Sequence, residues 1–182
     1  MQQQLKLLLQ RYPRLRWGLT LILVVLAVVF GRSGYDHGGK PLAPDETGEL
    51  AGFANIIDGD SLRISGGEVR LVGIDAPEGR QTCERGGKTW DCGEEARRHL
   101  KRLIGGQKVS CRSVEMDKHN RYLGVCEVGG QTLNAAMVES GYAVSYGNYR
   151  DEEQAAKASR RGLWSGTFQM PRAWRRDRGI GG

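Results

Sequence analysis

The sequence predicts an α+β domain behind an apolar N-terminal segment. Three observations predict it: apolar runs bounded by turn residues at 53–74 and 107–130, helical apolar spacing at 94–104, 133–141 and 151–161, and an apolar stretch at 17–31 interrupted only by Thr20. A chain of 182 residues holds one domain with appendages and can build a core without disulfides. The formal net charge is +6, but it is unevenly placed. Lys6, Arg11, Arg14 and Arg16 precede the apolar stretch with no acid among them, and Arg172, Arg175, Arg176 and Arg178 face only Asp177 at the other end. The body between is close to neutral, so net charge excludes nothing and argues for nothing. Nucleic-acid binding has to be argued from placed arginines.

Taken in order, residues 1–16 are a basic N-terminal segment and residues 17–31 direct the chain to a membrane. That run is short for a spanning helix, which needs about 20 residues, and it also resembles a signal-peptide core. The absence of a convincing A-x-A site and the position of Trp17 favour a retained anchor over a cleaved signal, and a buried core helix is the bland alternative. The preceding basic residues keep that end cytoplasmic. Everything after residue 31 is then exported: anchored in an inner membrane with the domain facing the periplasm or exterior, or secreted if the N-terminus is cleaved. Residues 32–50, rich in Gly, Pro and charge, read as a flexible linker. The folded domain is expected at 51–168, with its first strand from Phe53 to Ile57, and residues 169–182 as a basic tail.

The stretch 58–78, DGDSLRISGGEVRLVGIDAPE, organises the domain. Leu62 and Ile64 alternate with polar residues, and Val69 to Ile74 form a second run, joined at Ser65-Gly66-Gly67-Glu68 by a hairpin turn. Antiparallel pairing brings Asp58 and Asp60 near Asp75 and Glu78. Pro77 restricts its own φ and that of Ala76, which aims Glu78 out of the strand. Converging carboxylates repel unless a cation lies between them, and a hard divalent ion, calcium or magnesium, is the usual answer. Alternation places Arg70 on the side of Val72 and Ile74, where its planar fork suits phosphate. The bland alternative makes Asp58 and Asp60 turn formers, Glu78 a loop acid and Arg70 a surface ion-pair partner.

A Cys83–Cys92 bridge would tie down the loop after Glu78. Ala96, Leu100, Leu103 and Ile104 then mark an amphipathic helix with acids in its first turn and Gly105-Gly106 at its end, and His99 is expected on its solvated face. Residues 107–130 read as two strands around a turn at 117–120, which sets Cys111 opposite Cys126 as a cross-strand bridge. Disulfides are favoured over a zinc site because the spacing is not C-x-x-C. Arg121 follows the turn, where an arginine is more often merely solvated. A second helix ends at Gly141 and a third runs from Asp151 to Arg161, closed by Gly162. Tyr142, Tyr146 and Tyr149 can stack a base or simply pack.

DGDS at 58–61, RLVGIDAPE at 70–78, DKHNR at 117–121, GEEA at 93–96 and GLW at 162–164 together resemble the staphylococcal nuclease (thermonuclease) family, over about residues 51–168. The resemblance implies a five-stranded barrel of the oligonucleotide-binding (OB) type with three helices. It implies one Ca2+ held by Asp60, Asp75 and the Ala76 carbonyl, Glu78 as general base, and Arg70 and Arg121 as the phosphate-binding pair. His119 and Tyr149 are the expected substrate contacts. His119 and Asn120 stand where the family usually has Tyr and Gly; Asn tolerates positive φ, so the turn is expected to survive. The implied activity is calcium-dependent cleavage of DNA and RNA, single strands preferred, with little sequence specificity and no protein partner inferred. The alternative from another class is a non-catalytic OB-type module that grips nucleic acid or protein.

Overall fold

The computed structural model describes residues 48–180. The expected membrane segment at 17–31 and most of the expected linker lie outside those residues. Among the described residues no helix is long and apolar enough to cross a membrane.

The chain runs through β1 (Glu49–Ile56), β2 (Ser61–Ile64), β3 (Gly67–Leu71), β4 (Ile74–Asp75), β5 (Cys83–Arg85) and β6 (Lys88–Trp90). It continues through α1 (Cys92–Ile104), β7 (Lys108–Met116), β8 (Tyr122–Val128), β9 (Gln131–Thr132), α2 (Leu133–Glu139), β10 (Val144–Ser145) and α3 (Arg150–Ala158). A 3-10 turn (Gly162–Ser165) and α4 (Pro171–Asp177) complete it. Strands lie in the order β3-β2-β1-β7-β8, and β3 also pairs in parallel with β8. That last pairing closes a five-stranded barrel, the expected OB-type α+β architecture, with four α-helices rather than three among the described residues.

The strand β1 begins at Glu49, inside the stretch expected to be linker. Leu50, 3% exposed, enters the core opposite Cys111, so burial rather than composition sets the start. One half of β1 pairs with β7 and the other with β2, which lets a single strand turn the barrel's corner. The β2–β3 connection is a two-residue turn, shorter than the four expected. Ser65 and Gly66 both take positive φ (51° and 85°), the geometry that matches the twist of the flanking strands.

Leu62, Ile64, Val69 and Leu71 point inward to meet Leu100 of α1, Val109 and the Cys111–Cys126 bridge, with Leu133 and Met137 of α2 closing one end. The chain breaks between β3 and β4 at Gly73, φ +80°, and Val72 and the buried Ile74 line the same cleft as Arg70. The break is held by Asn134. Its fully buried amide donates to the carbonyls of Val72 (2.9 Å) and Gly124 (3.1 Å) and accepts from Cys126 N–H (3.0 Å). An amide satisfied on three sides fixes where β3 ends and therefore where Asp75 begins.

His99 also departs from expectation. It stacks on Tyr142 with ring centroids 4.5 Å apart instead of standing in solvent. The Cys83–Cys92 bridge is formed as expected, and Gln81 secures the loop before it. Its side chain is fully buried, its Nε2 donates to Gln169 O (2.6 Å), and its own carbonyl accepts Gly93 N–H (3.1 Å). One residue thus joins the Glu78 loop, the start of α1 and the approach to α4.

Candidate active site

The β2–β3 hairpin and β4 bring together the acids that sequence spacing had separated. Asp60 is 3% and Asp75 4% exposed, and one guanidinium nitrogen joins them: Arg70 Nη2 lies 2.9 Å from Asp60 Oδ2 and 3.1 Å from Asp75 Oδ1. Asp60 Oδ1 accepts the Ser61 hydroxyl (3.0 Å), and Oδ2 also accepts Ala76 N–H (3.1 Å). Asp58 Oδ1 accepts Asp60 N–H at 3.1 Å, a turn contact that aims the second acid. Burial, reinforced by the Asp60 charge, raises the Asp58 carboxyl to about 7. Asp75 is also raised by burial, against the pull of Arg175.

Glu78 is placed by its loop. Gln81 N–H donates to Glu78 O (2.7 Å), and α1 approaches so closely at Gly93 that a Cβ there would lie 1.7 Å from the same carbonyl. Only glycine fits that contact. The Glu78 carboxylate then meets a group that sequence reasoning did not place: Arg175 of α4. Arg175 donates to both Asp75 oxygens (2.9 and 3.1 Å) and to Glu78 Oε1 (2.8 Å). Burial alone would lower its pKa, but these bonds outweigh burial and raise it, so the charge is locked. A usable signal was present in Pro171 and Trp174, a helix starter and an apolar anchor inside the supposed tail. Trp174 is 7% exposed, and Pro171–Asp177 of the expected tail form a helix.

The far wall is the β7–β8 turn. Asp117 Oδ1 accepts the N–H groups of His119 (2.8 Å) and Arg121 (3.0 Å), and Oδ2 takes Arg121 Nε (2.9 Å) and Nη2 (2.7 Å). Burial acts to raise Asp117, but these donors prevail and hold its carboxyl below the usual range. Asn120 takes φ +60°, as its residue type allows. An open cleft of about 1290 Å³ lies between this turn and α4, lined by Asp58, Arg70, Asp75, Glu78, His119, Arg121 and Arg175 among others. Of the three tyrosines, Tyr146 lines the cleft and is 58% exposed, with Arg172 Nη1 donating to its hydroxyl (3.3 Å). Tyr149, expected to touch substrate, instead packs against the core and beneath Gly73, because α3 starts there.

Residues 68–166 match the family described as staphylococcal nuclease homologue. The chain belongs to that family. It is 32% identical over 123 residues to the succinoglycan biosynthesis protein ExoI of Rhizobium meliloti, covering 63% of this chain and 64% of that protein. It is 35% identical over 116 residues to the probable staphylococcal-like nuclease CAN3 of Oryza sativa subsp. japonica, covering 60% of this chain and 28% of the rice protein. An uncharacterized endonuclease of Escherichia coli is 30% identical over 127 residues, covering 64% of this chain and 77% of the relative. The chain thus spans under two thirds of the Rhizobium protein and under a third of the rice protein. Within the family match lie Arg70, Asp75, Glu78 and Arg121; Asp60 precedes it and Arg175 follows it.

Proposed function

We propose that the chain is an endonuclease that hydrolyses phosphodiester bonds of DNA and RNA with one calcium ion, outside the cytoplasm. The observation that carries this reading is the convergence of buried Asp60 and Asp75 on one guanidinium nitrogen, with Glu78 beside them in a cleft whose rims are basic.

The donors fit a hard cation. Asp58, Asp60, Asp75 and Glu78 face Arg70 and Arg175, so carboxylates outnumber cations in an all-oxygen set. Among the described residues no group of three or more His, Cys, Asp or Glu side chains is arranged to hold a metal. A cation here would therefore take Asp60 and Asp75 and complete its shell from main-chain carbonyls, that of Ala76 foremost, and water. Bound there, calcium would neutralise charge on a phosphate oxygen. Glu78 would orient and deprotonate the attacking water, a role worth about 100- to 10,000-fold in rate. Arg70 would hold the phosphate oxygens with its fork while charge grows on them, and Arg121, kept in place by Asp117, would approach from the opposite wall. Phosphate-directed contacts carry no base information, which supports low sequence preference. The two disulfides support export, since such bonds persist in oxidising compartments.

The test incubates the full-length oxidised protein with single-stranded DNA and RNA in calcium, magnesium or chelator, beside Glu78→Gln and Arg121→Ala. Calcium-dependent cleavage that falls at least about a hundredfold in both variants is expected. Tight strand binding without cleavage in any cation would leave the binding module instead.

A further inference from the structure

The helix α4 lies beyond the family match, yet it brings the Arg175 guanidinium into the lining of the cleft. Arg175 forks onto both Asp75 oxygens and reaches Glu78, while Arg70 approaches Asp75 Oδ1 from β3. Asp75 is therefore flanked by two arginines from opposite ends of the domain. A guanidinium fork that fits two carboxylate oxygens fits two phosphate oxygens equally well. Arg121 is differently placed, because two of its nitrogens are committed to Asp117. The Arg175 side chain is 21% exposed, so solvent reaches it and an incoming anion can as well.

The contact is also competitive. Any cation that binds Asp75 must displace the fork or share its oxygens, and the carboxylate that held Arg175 is then neutralised by the ion. The backbone of α4 stays in place during that exchange, because Trp174 and Pro171 are buried and Gln81 Nε2 holds Gln169 O at 2.6 Å. A guanidinium freed from Asp75 on an anchored helix still faces the cleft that a substrate phosphate would enter. We propose that Arg175 is a third substrate-contacting arginine, parked on Asp75 and Glu78 until a divalent cation takes the Asp75 oxygens and then turned onto the phosphodiester. The proposal rests on the nuclease reading above and adds a residue supplied from outside the family match.

The test measures binding, apart from turnover, on the full-length oxidised protein in a Glu78→Gln background that leaves the strand intact. Calcium is titrated by calorimetry without nucleic acid, and a fluorescein-labelled oligothymidylate is titrated in saturating calcium at several salt concentrations. Arg175→Gln should bind calcium about tenfold more tightly, having lost a competing cation, yet bind the strand about tenfold less tightly. Its salt slope should fall by about 0.7, the value of one phosphate contact on a single strand. Arg175→Lys, which keeps the charge and loses the fork, should fall between, and it carries the test if Arg175→Gln melts early. Unchanged strand affinity, unchanged or weaker calcium binding, or an equal loss in Arg176→Gln would overturn the proposal. If the protein with Glu78 intact neither cleaves nor binds a strand in any cation, the nuclease reading fails with it; cleavage beside unchanged Arg175→Gln binding sinks this inference alone.

Discussion

Single residues here act through what neighbours leave unsatisfied. His99 Nε2 is buried without a hydrogen-bond partner, and burial, aided by the Arg102 charge and opposed by Glu95, depresses its pKa from 6.5 to about 4. The depressed value means that the fold favours the neutral ring. Between about pH 6.5 and 4 the unfolded chain binds a proton that the folded chain refuses, so stability is complete above 6.5 and is lost as pH falls. Asp58, raised to about 7, binds its proton more tightly in the folded chain over the same window and acts in the opposite sense, so the His99 contribution is read by difference. As pH falls from about 6.5 to about 5, the melting temperature of His99→Phe, which keeps a ring against Tyr142, should rise relative to that of the unsubstituted protein; an unchanged difference would show that His99 carries none of the pH dependence. Asp60 shows the opposite case, a buried acid whose oxygens accept hydrogen bonds from Ser61 and Ala76, whereas the Asp60 N–H bond to Asp58 does not offset burial and the Asp58 carboxyl stays raised.

At the scale of elements, the site is a product of closures. The β7–β8 hairpin sets Cys111 directly opposite Cys126, and it ends in the turn that presents Arg121. Those cysteines are 15 residues apart, a loop for which a bridge contributes about 3 kcal/mol in the chain-entropy account. Replacing both with serine should cost about that much in urea unfolding, and a loss below about 1 kcal/mol would mean that the barrel alone holds the hairpin. The expected cross-strand bridge was readable because both cysteines stand nearly equidistant from the 117–120 turn. The register that brings Asp60 beside Asp75 was readable for the same reason, since hairpin pairing follows from local turn chemistry. The break at Gly73 was not, because it depends on Asn134, which lies distant in sequence on α2.

Across the whole molecule, the C-terminal segment completes the cleft. Trp174→Ala removes the anchor of α4 and should lower stability by about 3 kcal/mol or more. If α4 is held mainly by that ring, the variant should also reproduce the tighter calcium binding expected of Arg175→Gln. Normal calcium affinity in a destabilised Trp174→Ala protein would show that the Asp75 and Glu78 contacts keep α4 docked without it. The Gln81 link makes this coupling direct, because the loop that aims Glu78 and the segment leading into α4 share one buried side chain.

By itself the sequence determined the α+β class, the acid-bearing hairpin, both cysteine pairings and the positive-φ turn at Asn120, since each follows from spacing or residue type over a short span. Only the tertiary structure decided that Arg175 meets Asp75 and Glu78, that Tyr146 rather than Tyr149 faces the cleft, and that His99 is half-buried. Those outcomes depend on how α2, α3 and α4 dock on the barrel. Docking is chosen by buried area and by the satisfaction of distant polar groups, which leave no periodic mark on the chain.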